Sequence, residues 1–243
     1  MKNYNQYWKQ NKNNYFINLP KRGIKSRLIL FKKHLKNKKV LHIGCSDWPY
    51  VEEKIRNKKL LHQYISDFTN ELYGMDSEGI DIMKKNDIRN VFFGDIYSLY
   101  KDENFVNKKF DLLLVSEIIE HLLNPGLALE SIKQYVLKTN LQCEVIFTVP
   151  NYHNFFFNFI SGLKCREIVH PDHKFYFSYR TFRNLLETCG FEINDFYFVT
   201  YGEGIKTLKG KILSKTILLP FQCMTPYLYF KCNVNKNKEN NEK

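Results

Sequence analysis

Apolar and polar positions along the chain switch between two periods. Short, nearly continuous apolar runs occur at Lys39–Ile43 (KVLHI), Glu71–Met75 (ELYGM), Asn90–Phe93, Phe110–Val115 (FDLLLV) and Glu144–Val149 (EVIFTV), each ending near Gly, Asp, Ser or Pro. Runs of this length and bounding predict buried strands. Between them the spacing becomes helical. Pro49 opens one helix running through VEEKIRNKKLLHQYI, GLALESIKQYVL forms a second, and SYRTFRNLLETC a third that Gly190 terminates. FEINDFYFVT and YLYFKCNV add two further strands. Upstream, Ile24, Leu28, Phe31 and Leu35 fall on one face, with Lys25, Arg27, Lys32, Lys33 and Lys36 mostly around it, which predicts an amphipathic helix from Gly23. Residues 1–22 have no strong period. The chain therefore divides into a basic N-terminal arm and helix (1–37), one folded domain (38–233) and a polar, disordered tail (234–243).

Strands alternating with helices imply an α/β class with a doubly wound, mostly parallel, seven-stranded sheet. Such sheets bind ligands beyond the carboxyl ends of their strands, where strand order reverses. The residues to interrogate are then Gly44, Asp76, Asp95, Ser116, Glu117 and Asn151.

Charge changes the picture at one end only. The chain carries a formal net charge of +12, yet residues 1–39 hold 12 Lys/Arg and no Asp or Glu, so the rest is formally neutral. The arm suits phosphate, anionic lipid or an acidic partner, and equally reflects the Lys/Asn bias of the whole chain. With 20 Phe and 16 Tyr the chain has ample material for a core, which excludes general disorder. Six scattered cysteines without a Cys-x-x-Cys pair argue against a zinc cluster or a disulfide scaffold and fit a reduced, cytoplasmic setting. The N-terminus has no apolar leader core. The most apolar stretch, 216–230, is too short to span a bilayer and holds Pro220 and Pro226, so any membrane association is peripheral.

At the strand ends, Gly44 permits a tight turn and close backbone approach, Asp76 is placed to accept both hydroxyls of a ribose, and Ile96 beside Asp95 suits a purine face. Together they point to an adenosine-bearing ligand. A dinucleotide fits poorly, because Gly44, Ser46 and Pro49 stand where G-x-G-x-x-G is needed.

These segments resemble class I S-adenosylmethionine-dependent methyltransferases over residues 38–200. VLHIGCSDW stands for the family's V-L-D-I-G-C-G-x-G, and LYGMDSEGI, FFGDI and FDLLLVSEIIEHLLNP match the segments of strands two to four. HPDHKFYFSYRTFRNLLETCGFE is similar to the region after strand five. The resemblance implies a Rossmann-like methyltransferase fold, S-adenosylmethionine as cofactor, and cofactor contacts at Gly44, Cys45, Ser46, Asp76, Ser77, Asp95, Ile96 and Ser116. His42, Ser46 and Trp48 depart from the family pattern, and the acid usual at His42 helps anchor the cofactor's methionine portion. An H-I-G-C-x-D-W-P variant is similar to methyltransferase-like proteins of bacterial surface-glycan synthesis, which implies an anionic or sugar-containing small-molecule acceptor and O-methylation.

Glu117, Glu120 and His121, at i, i+3 and i+4, are expected on one helical face beside the transferred methyl group. Similar E-x-x-E-H segments bind a divalent cation in ubiquinone-pathway O-methyltransferases and in small-RNA 3′-terminal 2′-O-methyltransferases, with a further His that His170 or His173 would supply. The preferred expectation is metal-free, with His121 or His173 as base at a pKa near working pH and Glu117 beside it. His34 and His62 are expected as surface or packing residues, and His153 as a pocket wall. Tyr152, Phe155, Phe156 and Phe157 either cover substrate or, by default, pack in the core. Two other readings stand beside this one: an RNA 2′-O-methyltransferase, disfavoured by the neutral body, and a catalytically silent binding subunit.

Overall fold

The computed structural model describes residues 17–201 and 222–235. Eight strands form one sheet: β1 (Gly23–Ser26), β2 (Lys39–Ile43), β3 (Glu71–Asp76), β4 (Val91–Phe93), β5 (Leu112–Ser116), β6 (Glu144–Pro150), β7 (Phe191–Tyr201) and β8 (Tyr227–Val234). Their spatial order is β1-β7-β8-β6-β5-β2-β3-β4. Neighbours pair in parallel except β8, which runs antiparallel to both β6 and β7. Strand order reverses between β2 and β5, so the crevice for a ligand opens over their carboxyl ends.

The count of seven strands is corrected to eight by β1. The expected helix from Gly23 begins only at Arg27. Ser26 is extended (φ −148°, ψ 139°) and its hydroxyl accepts the Leu28 N–H, so it caps α1 (Arg27–Leu35) and leaves Gly23–Ser26 free to pair with β7. Ile24 kept the helical spacing by coincidence. Leu30, Phe31 and Leu35 of α1 then pack on Val40, Leu112, Leu114 and Ile146 of the sheet.

The helix expected over 51–65 is two six-residue helices, α2 (Val51–Arg56) and α3 (Leu61–Ser66). Asn57 caps the first, Lys58 takes a left-handed φ of 54°, and Leu60 turns inward to full burial. A third short helix, α4 (Ile80–Lys85), was not expected. On the other face α5 (Pro125–Thr139) starts on Pro125 and buries Leu129, Ile132, Tyr135 and Val136. α6 (Phe155–Lys164) follows β6. α7 (Tyr179–Thr188) begins with a reciprocal Ser178–Thr181 capping box, and Gly190 follows it at φ 88°. The main core lies between the sheet and α5 and α7, where Phe147, Phe182, Phe196 and Phe230 meet edge to face or tilted. All six cysteines are free thiols. Most of the arm and tail expectations fall at 1–16 and 236–243, outside the described residues.

Candidate functional site

A cavity of about 1100 Å³ opens over the carboxyl ends of β2, β3, β5 and β6. Gly44 leaves β2 at φ 81°, with its N–H on the Met75 carbonyl at 2.8 Å. A Cβ there would stand 2.3 Å from Ile118 side-chain carbons, so the glycine is required by a protein neighbour as well as by the turn. At the end of the neighbouring strand β3, Asp76 is held by Ser46: its Oδ2 accepts the Ser46 N–H at 2.9 Å and the Ser46 hydroxyl at 2.8 Å, while Oδ1 accepts the Ser77 N–H. Burial lifts the Asp76 carboxyl above its ordinary pKa, against these bonds. The serine that departs from the family pattern thus adds a donor to this carboxylate.

Of the eight positions expected at the cofactor, Gly44, Asp76, Ser77 and Ser116 line the cavity. The others turn elsewhere. Cys45 is fully buried with its sulfur against Met83, and Ser46 is buried on Asp76. Asp95 caps the 3₁₀ turn Ile96–Lys101 by accepting the Tyr97 N–H, and Ile96 enters the core. His42 faces away from the cavity and stacks on His62 with 3.3 Å between their Nδ1 atoms. Burial drives the His42 pKa down to about 3 and that of His62 well below the usual value, so both are neutral.

The pattern Glu117, Glu120, His121 does not form one helical face. Glu117 takes a left-handed φ of 55°, and only Ile119–His121 is helical, as a 3₁₀ turn. Glu117 N donates to the Thr148 carbonyl at 3.0 Å, which pins the end of β5 to β6. Its carboxylate meets the Arg27 guanidinium at 3.4 Å, and the same guanidinium lies 3.5 Å from the Ser116 hydroxyl and over the Tyr227 ring. Burial raises the Glu117 pKa while Arg27 opposes the rise. Glu120 is 1% exposed with no partner for either carboxylate oxygen. Burial, then the charge of Glu117, holds its pKa well above the normal carboxylate range.

His121 instead joins His170 and His173. The three rings stand 4.6–5.4 Å apart between centroids, and one nitrogen from each lies within 4.8 Å of the others. The Glu120 carbonyl accepts the Lys174 and Phe175 N–H groups at 2.8 and 3.2 Å, which locks the His170–His173 loop to the turn after β5. The pKa expected near working pH is corrected. Burial, with His173 and His170 nearby, pushes His121 down to about 4, and burial also lowers His173. Both are neutral at pH 7.

Aromatic rings line the outer part of the same cavity: Trp48, Tyr50, Tyr152, Phe157, Phe175 and Tyr176, all substantially exposed. Core packing for Tyr152, Phe155 and Phe157 is therefore corrected, and the Phe156 side chain lies outside the described set. His153 does not line the cavity; its N–H bonds the Asn151 side chain. Asn151 is buried and donates to the Cys223 and Thr225 carbonyls. Arg27 was missed as a site residue, since in sequence it reads as one more cation on a basic helix. Among the lining side chains Arg27, Lys54 and Arg166 face seven carboxyl groups, so the cavity is acidic although the chain is basic.

No protein-family model matches the chain, and no curated protein matches it in sequence. Solved structures do match in fold. A chain of the complex between the Haloferax volcanii Trm112 methyltransferase activator and a methyltransferase superposes with a TM-score of 0.55 at 11% identity, covering 85% of this chain and 88% of its own. A SAM-dependent methyltransferase from Archaeoglobus fulgidus gives 0.51 at 18% identity, covering 85% and 90%. The small RNA methyltransferase HEN1 gives 0.51 at 15% identity, over 86% of this chain but only 25% of its own. The sheet order and these likenesses agree: the chain has the Rossmann-like fold of class I S-adenosylmethionine-dependent methyltransferases.

Proposed function

We propose that the protein is an S-adenosylmethionine-dependent methyltransferase acting on a hydroxyl of a sugar-containing small molecule. The observation that carries the reading is one cavity with two chemically distinct halves. The inner half, at Gly44, Asp76, Ser77 and Ser116, offers a backbone turn after β2 and a carboxylate at the end of the adjacent strand β3, the arrangement a ribose needs. The outer half joins exposed aromatic faces to carboxyl groups, which suits the apolar face and hydroxyls of a sugar ring. Its acidity favours a neutral, hydroxylated acceptor over the anionic one and disfavours RNA.

S-adenosylmethionine supplies an electrophilic methyl group on a sulfonium. The chain's own residues hold the acceptor and take up its proton. His121, neutral and half-buried, lines the cavity, and the Arg27 guanidinium stands against the Glu117 carboxylate and orients it. At a pKa of about 4 His121 is a weak base, which places more of the catalysis on alignment of the reacting atoms. A second reading is favoured by the three-histidine cluster: neutral imidazoles at this separation suit a divalent cation such as Zn²⁺ or Mn²⁺, which would acidify the acceptor hydroxyl. The test of the main reading is product mass spectrometry across sugar-containing acceptors, with a gain of about 14 Da as the expected result. A gain on RNA alone, or S-adenosylmethionine binding with no transfer to any acceptor, would overturn it.

A further inference from the structure

S-adenosylmethionine carries a protonated amine at the end opposite its adenosine, and an amine drawn out of water needs a carboxylate. Most carboxyl groups lining the cavity are already engaged or lie at its rim. Asp47 pairs with Lys54 at 2.8 Å, Asp76 accepts from Ser46 and Ser77, and Glu167 accepts the Tyr176 hydroxyl. Glu78 and Asp172 stand exposed. Glu117 and Glu120 remain. Glu120 is 1% exposed, and both of its oxygens are buried without a hydrogen-bond partner. Glu117 keeps a quarter of its side chain open (25%) and borders the cavity. Its Oε1 also lacks a hydrogen-bond partner, for Arg27 stands 3.4 Å away as an ion pair only. Arg27 is thus one cation against two carboxyl groups, and the corner is short of a positive charge.

The corner adjoins the Gly44 turn. A Cβ on Gly44 would meet Ile118 carbons at 2.3 Å and the Ser116 carbonyl at 3.6 Å, so residues 116–118 fold directly against it. The left-handed backbone of Glu117 (φ 55°) and its N–H on the Thr148 carbonyl hold the residue there. β3, β2 and β5 are consecutive neighbours in the sheet, so the end of β3 and the end of β5 lie about 10 Å apart. The chain from a ribose hydroxyl to the amine of S-adenosylmethionine is also about 10 Å long when extended. A ligand with its ribose on Asp76 and its tail across Gly44 therefore reaches Glu117. β2 offers no competing acid, since His42 is buried against His62. We infer that the Glu117 carboxylate takes the ammonium group of S-adenosylmethionine, held in position by Arg27 and backed by Glu120. The inference rests on reading the inner half as the S-adenosylmethionine site, and adds the residue that reads the amino-acid end of that ligand.

The test is calorimetric titration of the full chain with S-adenosylhomocysteine and with its deamino analogue, which keeps the nucleoside, thioether and carboxylate and carries hydrogen in place of the amine. The unaltered chain should bind S-adenosylhomocysteine about tenfold or more tightly than the analogue. Glu117→Gln keeps the shape and removes the charge. It should weaken S-adenosylhomocysteine about tenfold or more and leave the analogue unweakened, so that the preference disappears. Glu117→Asp, which keeps the charge on a shorter stem, should retain part of the preference. Affinity for the analogue reports in each variant that the site is intact. Equal loss of both ligands in Glu117→Gln would overturn the inference and assign the residue to the architecture of the turn. Unchanged S-adenosylhomocysteine affinity in the folded variant would overturn it too. An unaltered chain that binds both ligands equally overturns it without any variant, while the cofactor reading stands. An unaltered chain that binds neither overturns the cofactor reading and the inference together.

Discussion

The two halves of the cavity are built in opposite ways. The inner half stands on the ends of β2, β3 and β5, where Gly44, Asp76 and Ser116 are fixed by ladder hydrogen bonds and by a core that leaves no freedom around them. The outer half is carried largely by the connection from β6 to α7, including α6, with Trp48 and Tyr50 from the turn after β2 and His121 from the turn after β5, and its aromatic rings face solvent. Among the described residues, the ties that hold this connection in place include the Glu120 carbonyl to the Lys174 and Phe175 amides, and Asn151 to the turn before β8. The contrast teaches that the strand ends fix where the inner half sits, while the outer half is free to vary with its loops.

The largest expected effect lies in the outer half. His121→Ala should lower kcat by about 10²–10⁴-fold if the imidazole takes the acceptor proton. A chelator separates the two mechanisms in the same assay: turnover unaffected by chelator supports the metal-free route, and turnover lost with chelator and restored by Mn²⁺ or Zn²⁺ supports the metal at the three histidines.

The inner half should fail with acid. His42, held to about 3, and His62, held well below its usual value, are neutral when folded, whereas the unfolded chain takes up these protons near pH 6.5. The unfolded state binds more protons below that pH, so stability is complete above about 6.5 and is lost as pH falls toward 3. Between pH 6.5 and 5 the loss from His42 should be about 1.6 kcal/mol, and His62 adds a loss of the same sign. Denaturant midpoints measured at pH 7 and pH 5 check this, and a flat profile would contradict the buried pair.

Arg27 links the halves from below. Arg27→Met should cost about 1–3 kcal/mol of stability by leaving Glu117 without its counter-charge, and should impair turnover more than cofactor affinity. Equal stability of the variant in thermal melts would show that Glu117 does not depend on it. The smallest effect belongs to the exposed side of α6, where Phe159→Ser should change stability by less than about 0.5 kcal/mol. A larger loss would mean that the ring is packed.

The sequence made the inner half legible because buried strands leave strong signals. EVIFTV and YLYFKCNV lie within a residue of β6 and β8, and Asp76 ends β3 as the apolar pattern requires. The outer half was less legible for physical reasons. Helical spacing put Glu117, Glu120 and His121 on one face, but the left-handed backbone at Glu117 breaks the period, and a single residue's φ leaves no trace in a hydrophobic pattern. His170 and His173 were recognisable as partners of His121 by their chemistry, yet their joint approach depends on the bonds to the Glu120 carbonyl, which any residue type would make. β1 was hidden because Ile24 satisfied the helical period as well as the strand, and the decisive signal was Ser26 as a cap. Aromatic density in NYHNFFFNF suggested burial as strongly as exposure, and only the fold places those rings outside the core.

The central claim is that the inner half holds S-adenosylmethionine through the Asp76 carboxylate. Calorimetric titration of the purified chain with S-adenosylmethionine, repeated on Asp76→Ala, tests it most directly. The account predicts one site per chain, weakened about ten- to a hundredfold in the variant. Absence of binding to the unaltered chain, or equal affinity in a folded Asp76→Ala protein, would contradict it.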